Sequence, residues 1–246
     1  MTNTMTGGLF EIWVFLARAP LLWLTVTVLV YLATIWLHKK SGGNSFVNPV
    51  LFSVAAIICV LLATHTPYPV YFEGAKFVHF LIGPATVALA IPLYSQLERL
   101  KRMWLPLGVA LVAGSSVAIA SAVIIGRVLG ASRETLLSLA PKSSTMPIAM
   151  SVAEKFGGVP ALAAMAVAVT GITGTIMARP LLNLLRIRDP AVRGFAVGIT
   201  AHAIGTARAI QVNDVAGAFA ALALGLNGIA TALLMPLWVR ALQSWL

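Results

Sequence analysis

The sequence predicts an all-helical integral membrane protein, and three observations carry that reading. Of the 246 residues, 59% are hydrophobic and only 10% charged, whereas about a quarter of the residues in a soluble domain carry charge. Charge-poor runs close to the roughly 20 residues needed to cross the hydrocarbon recur along almost the whole chain. The third observation is the placement of the basic residues, 17 Lys and Arg against 7 Asp and Glu for a net charge of +10. In a soluble chain that surplus would raise nucleic acid as a partner. Here it gathers in short segments between the runs and reads as cytoplasmic loops, with no nucleic acid implied.

Taken in order, the runs cover residues 19–37, 41–72 (with a loop at Pro67 and Pro69), 77–97, 103–126, 156–178 and 215–239. The stretches 135–153 and 194–212 also have spanning length, but each carries a basic residue near its middle, Lys142 and Arg208. The segment ahead of Leu9 lacks Lys and Arg, and Glu11 interrupts the apolar stretch that follows, so the N-terminus reads as mature protein rather than a cleaved export signal. Residues 1–40 are an N-terminal segment with the first transmembrane helix, and 41–246 a transmembrane transport domain.

Orientation follows from Lys39 and Lys40, from Arg99, Lys101 and Arg102, from Arg179, Arg186, Arg188 and Arg193, and from Arg240, all expected to be cytoplasmic. Arg127 and Arg133 then fall outside. An odd number of crossings must separate Arg133 from Arg179. The polar, proline-broken stretch 135–153 is therefore read as a re-entrant hairpin, tolerated at membrane depth because protein or a wet cavity surrounds it. The plan is about seven transmembrane helices plus that hairpin.

Helix breakers fall where polar residues do. Gly83-Pro84 and Pro92 interrupt the third run, Pro141 and Pro147 bracket Lys142, and Gly194, Gly198 and Gly205 punctuate the seventh. Proline removes a donor and blocks the turn before it, so Pro84, Pro141 and Pro147 are read as structural breaks. An echo between Leu81-Ile-Gly-Pro-Ala-Thr86 and Ala203-Ile-Gly-Thr-Ala-Arg208, on spans running in opposite directions, suggests an inverted repeat.

Broken helices aim half-helix N-termini at the bilayer midplane, where an anionic group can be held. On a lipid-facing helix Lys142 and Arg208 would each cost about 2.5–3.5 kcal/mol, so both are expected to face a polar interior and neutralise a carboxylate. Backbone amides near Gly83, Ser143 and Gly205 would bind its oxygens, Thr86, Thr145 and Thr206 would line the path, and the Ser143 and Ser144 hydroxyls could also bind the carboxylate. Blander roles stand beside these. Lys142 could snorkel to headgroups, Arg208 could pair with Asp214, and the hydroxyls could satisfy neighbouring carbonyls. His202 is a weaker candidate for binding the substrate, because it lies four residues after Gly198 and eight after Gly194, a small-residue face that more often means close helix packing than ligand binding.

Other chemistry is poorly represented. One cysteine, Cys59, rules out an intrachain disulfide and a cysteine metal cluster, and the four histidines are scattered at 38, 65, 79 and 202. There is no Gly-rich phosphate loop, nucleophile elbow or H-E-x-x-H. No cofactor or metal is expected, nor an enzyme. Lys142 beside Ser143 and Ser144 could form a Ser-Lys dyad, but adjacency in the chain does not place side chains in reach.

In Gly83-Pro-Ala-Thr-Val-Ala-Leu-Ala90, Pro141-Lys-Ser, Pro147-Ile-Ala and His202-Ala-Ile-Gly-Thr-Ala-Arg-Ala209, the sequence resembles the LrgB/CidB family of bacterial membrane proteins, from about Asn48 to Pro236. That family also covers the C-terminal half of the plant plastidal glycolate/glycerate translocator. The resemblance implies a multi-pass protein of the bacterial inner (plasma) membrane. Its two functional associations are modulation of murein hydrolase activity and autolysis beside a small LrgA/CidA-type partner, and movement of small carboxylates. Ser151 and Gln211 stand where the family often has an acid, and Ser144 and Met146 where it often has Val and Thr, which puts proton coupling through the two acidic positions in doubt. The expected function is transport of small monocarboxylates of the pyruvate, glycolate or glycerate kind by alternating access, with an LrgA-type partner and a possible homo-oligomer. The alternative is a holin/antiholin-like modulator of autolysis.

Overall fold

The structure, a computed structural model, describes residues 20–243, all helices and connecting turns without strands among the described residues. The expectation about the N-terminus lies outside them. Among the described residues, five stretches are long and apolar enough to cross a membrane: Pro20–Lys40, Tyr68–Ser95, Trp104–Val128, Pro160–Leu184 and Asp214–Ala241. The chain forms two compact units that divide between Ala88 and Leu89.

The first unit holds α1 (Pro20–Lys40), α2 (Pro49–Ala63), α3 (Tyr68–Phe80) and α4 (Ile82–Ala88). Asn48 caps α2 by accepting from the Val50 and Leu51 amides, with Pro49 in the first turn where its missing N–H costs nothing. At 15 residues α2 is about 22 Å long, short of the roughly 30 Å hydrocarbon, so the run 41–72 is not one full span. Gly74 lets α3 lie against α1, since a Cβ there would meet Pro20 O and Trp23 Cβ. Buried Trp23 meets Tyr71 edge-on at 5.8 Å, and Thr34 shares a 2.7 Å hydrogen bond with Ser53 of α2. Helix is interrupted at Leu81 and again at Leu89, each three residues before a proline, Pro84 and Pro92. The proline ring clashes one turn upstream, so the break falls there rather than at the proline itself.

The second unit holds α5 (Ala90–Ser95), α6 (Leu97–Arg102), α7 (Trp104–Val128), α8 (Arg133–Leu139), α9 (Met146–Phe156), α10 (Pro160–Leu184), α11 (Pro190–Val212) and α12 (Asp214–Ala241). Helices α7 and α12 run parallel. Leu107 shares a core with Phe219 and Ala223, Ser115 bonds Asn227, and Ile119 and Val123 pack with Met235. Between α7 and α10 lies a first hairpin, α8 and α9 joined through 140–145, as the proline-bracketed stretch predicts. Its base is pinned by Ser138, whose Oγ donates to Glu134 O and accepts from Val159 N, both at 2.7 Å.

Residues 190–212 differ from the expectation of a seventh crossing. Helix α11 breaks at His202, where φ is 40° and ψ −130°, and its two arms fold back on each other. Gly194 and Ile210 both pack against the start of α12, on Ala216 and Gly217, and Gly198 and Thr206 both reach Ala220 O. Gly205 packs against Val197 and Ala201 of the opposite arm. This second hairpin returns the chain to the end it left, so α12 starts beside Ala191 and Phe195 and finishes beside the first hairpin. Arg240 consequently shares an end with Arg127 rather than with Arg99, whose guanidinium holds the Asp189 carboxylate at 2.8 and 2.9 Å. The placement of Arg240 with the cytoplasmic clusters is corrected by this reversal. Ala203–Arg208, one half of the sequence echo, lies in the returning arm of the second hairpin, and the other half, Leu81–Thr86, runs from the interruption at Leu81 into α4 of the first unit.

Candidate functional site

The tips of the two hairpins meet at the middle of α12. Asn227, 1% exposed, accepts from Ser115 Oγ on α7 at 2.6 Å. Its Nδ2 donates to Ser143 O in the first tip at 2.8 Å and to Ile199 O in the second hairpin at 3.1 Å. One amide thus satisfies carbonyls that the helix breaks would otherwise leave open, as a low-dielectric interior requires. Sequence reading missed Asn227. The available signal was a lone carboxamide in the apolar run 215–239.

His202 is buried and forms the second tip. A positive φ at a residue with a side chain costs about 1–3 kcal/mol and persists only where the surroundings impose it. Here Nε2 bonds Val167 O of α10 at 2.8 Å, and Thr206 Oγ1 donates to His202 O at 2.7 Å. Gly171 makes room for the ring, since a Cβ there would stand 2.5 Å from Cε1. The face of Gly194 and Gly198 does serve close packing, on α12, while His202 itself turns the chain.

Beside the tips lies a cavity of ≈ 950 Å³ walled by α7, the first tip, α10 and the outgoing arm of the second hairpin. Its lining is mainly aliphatic, with Lys142, Ser143, Ser121, Thr170, Thr173 and Thr200 as the polar exceptions. Lys142 is half-buried, and its Nζ lies 3.4 Å from Ser143 Oγ. Among the described residues no carboxylate pairs with it, the ion pairs being Lys76–Glu73 and Arg99–Asp189.

The other sequence-selected residues are distributed unevenly. Ser144 is buried in the turn, donating to Pro141 O at 3.0 Å, and Thr145 stands at the N-cap position of α9 without a side-chain hydrogen bond to the helix. Pro147 lies in the first turn of α9. Thr206 and Gly205 belong to the packed interior of the second hairpin, away from the cavity wall. Arg208 is not brought to Lys142's cavity. It sits toward the end of the returning arm, with Nη1 3.4 Å from Gln211 Oε1, and Asp214 is not within ion-pair distance of it. Gly83, Pro84 and Thr86 lie on α4 of the first unit, where the position of Gly83 faces open space. Thr170, Thr173, Thr200 and Ser121 were not singled out by sequence, because hydroxyls on a membrane helix usually bond their own backbone.

Long apolar helices with two helical hairpins between them define a multi-pass membrane protein. The sequence profile of the LrgB-like family matches residues 27–241, and the chain belongs to that family. Among similar proteins, YxaC of Bacillus subtilis (strain 168) is 33% identical over 214 residues, covering 87% of this chain and 93% of its own. The antiholin-like protein LrgB of Bacillus mycoides (strain KBAB4) is 29% identical over 220 residues, covering 89% and 96%. A Haemophilus influenzae protein (strain ATCC 51907 / DSM 11121 / KW20 / Rd) is 33% identical over 198 residues, covering 80% and 86%. No solved structure matches the chain.

Proposed function

We propose that this protein carries small monocarboxylates of the pyruvate, glycolate or glycerate kind across the bacterial inner membrane by alternating access. The observation that carries the reading is Lys142, an ammonium without a carboxylate partner on the wall of a mostly aliphatic cavity beside two broken-helix tips. An intramembrane cation of this kind is costly unless an anion or water compensates it. The N-terminus of α9, at Thr145, opens in the same tip without a side-chain cap, and its free amides add to the attraction for a carboxylate. Ser143 and Thr200 complete the polar lining, with no covalent step and no catalytic residue. Arg208 acts in this reading at the mouth of the second hairpin, not on the same carboxylate.

The membrane plan that goes with it has α7, α10 and α12 crossing and both hairpins entering and returning on their own sides. The end carrying Arg99, Lys101, Arg102, Arg186, Arg188 and Arg193 is cytoplasmic, since it holds more basic residues than the end carrying Arg127, Arg133, Lys155 and Arg240. A small LrgA/CidA-type membrane protein or a second copy of the chain is the natural partner for the aliphatic faces left exposed on α1 and α7.

The test is saturable uptake of labelled pyruvate or glycolate into proteoliposomes. Lys142→Ala is expected to lower kcat/KM by about 100-fold, the equivalent of about 2.7 kcal/mol of charge-assisted binding, with Lys142→Arg retaining part of the activity. Equal transport by a well-folded Lys142→Ala protein sinks the reading. A second reading, modulation of murein hydrolase activity and autolysis with a holin-like partner, draws support from the name of the Bacillus mycoides relative. It expects partner-dependent lysis or leakage of unrelated solutes, without saturation by any carboxylate.

A further inference from the structure

We infer that residues 133–184 and 190–241 are two copies of one hairpin-plus-helix module in opposite orientation, and that Asn227 latches the hairpin tips in the state seen while Thr170 is its counterpart for the opposite state. The inference rests on the carriage reading and extends it to a gate.

Each module is a hairpin followed by a long helix: α8, α9 and α10, then the two arms of α11 and α12. Since α12 starts at the end where α10 finishes, the two long helices run antiparallel. Gly171-Ile172 corresponds to Gly228-Ile229 at an offset of 57, which pairs Thr170 with Asn227, and each helix has a proline near its C-terminal end, Pro180 and Pro236, at an offset of 56. The contacts are exchanged between modules. A Cβ on Gly171 would stand 2.9 Å from Ile204 Cδ1 in the second hairpin, and one on Gly228 2.7 Å from Ile148 Cδ1 in the first. Ile148 and Ile204 occupy the same place, just past the tip, in their hairpins. So each long helix packs on its own hairpin and also meets the hairpin of the other module, a reciprocity that an inverted repeat produces. This pairing differs from the echo between 81–86 and 203–208.

Two modules of the same architecture, related by a pseudo-two-fold axis, can adopt two exchanged arrangements, and the structure occupies one of them. One difference between the modules falls at the paired positions 170 and 227. Asn227 spends its amide on Ser115, Ser143 and Ile199, whereas Thr170, on the cavity wall, makes no hydrogen bond with its hydroxyl among the described residues. One latch is closed and its counterpart is open. Exchange of the two would move the first tip away from α12 and draw the second inward, without requiring any change within the helices.

Thiol reporters at Ser143→Cys and Thr200→Cys, in a Cys59→Ala background, read the exchange by their labelling with a membrane-impermeant maleimide in proteoliposomes. Asn227→Ala is expected to raise labelling of Ser143→Cys about tenfold and to lower that of Thr200→Cys, a population shift between two states. The swap Asn227→Thr with Thr170→Asn is expected to give the same inverted pattern. Thr170→Val leaves the closed latch intact and is expected to lower Ser143→Cys labelling about threefold by removing support for the opposite state. Reporters that rise together, as in a merely loosened fold, or that do not move in the swap and in Thr170→Val, overturn the inference. The labelling needs no solute. If the reporters exchange and no carboxylate is carried, the latch stands and the carriage reading falls; if carboxylate uptake is untouched by all three variants, the reverse holds.

Discussion

The first hairpin turns through residues 140–145 between two separate helices, whereas the second turns at one residue, His202, inside what is otherwise a continuous helix. The first tip is shaped by its own sequence. Pro141 and Pro147 stop helix on either side, and Ser144 closes the turn locally on Pro141 O. The second tip is shaped from outside, by Val167 O on the imidazole, Gly171 beneath the ring, and Ala216 and Ala220 against Gly194 and Gly198. A break written in local chemistry is set before the unit assembles, although its Ser143 carbonyl still takes the Asn227 amide, and a break imposed by neighbours exists only in the assembled unit. Only the first of them contributes a cation to the cavity.

The difference can be broken most forcefully at the contact of the second hairpin with α12. Gly198→Val drives a side chain into Ala220 O and Ala223 Cβ, and is expected to cost about 3 kcal/mol or more, seen as a lowered thermal midpoint in detergent. Next comes the turn itself. His202→Ala keeps a backbone that disfavours any side chain and forfeits the Val167 bond, an expected loss of about 1–3 kcal/mol, while His202→Gly recovers part of it by tolerating the positive φ. A Gly variant less stable than the Ala variant would mean that strain plays no part. The smallest effects compare one hydroxyl in each hairpin. Thr206→Val opens His202 O and is expected to cost about 1 kcal/mol, and Ser144→Ala about 0.5–1 kcal/mol, because its turn retains the Ser144 N bond to Pro141 O.

This contrast also explains what could be read from the residues. Prolines around Lys142 announce a hairpin because their effect is local and steric. Hydropathy assigned 194–212 to a crossing because it measures length and polarity, and a reversal at His202 leaves both unchanged. The misplacement of Arg240 follows directly from that one turn. Asn227 was invisible for a different reason: its partners lie 28, 84 and 112 residues away in the chain, so no local pattern marks it. Lys142 was legible as an intramembrane cation, and the structure places it on a cavity. Arg208 carried the same signal, yet it stands toward the end of its arm beside Gln211, since charge in a span reveals cost and not depth.

The amide that ties the tips together resides on α12, which leaves the ribosome after both hairpins. Until that helix is inserted, Ser143 O and Ile199 O wait inside lipid without the donor that later serves them. Nascent chains stalled or cut short before residue 227 would therefore present two half-finished loops to the insertion machinery and to membrane proteases, so insertion of α12 would serve the cell as a quality-control checkpoint.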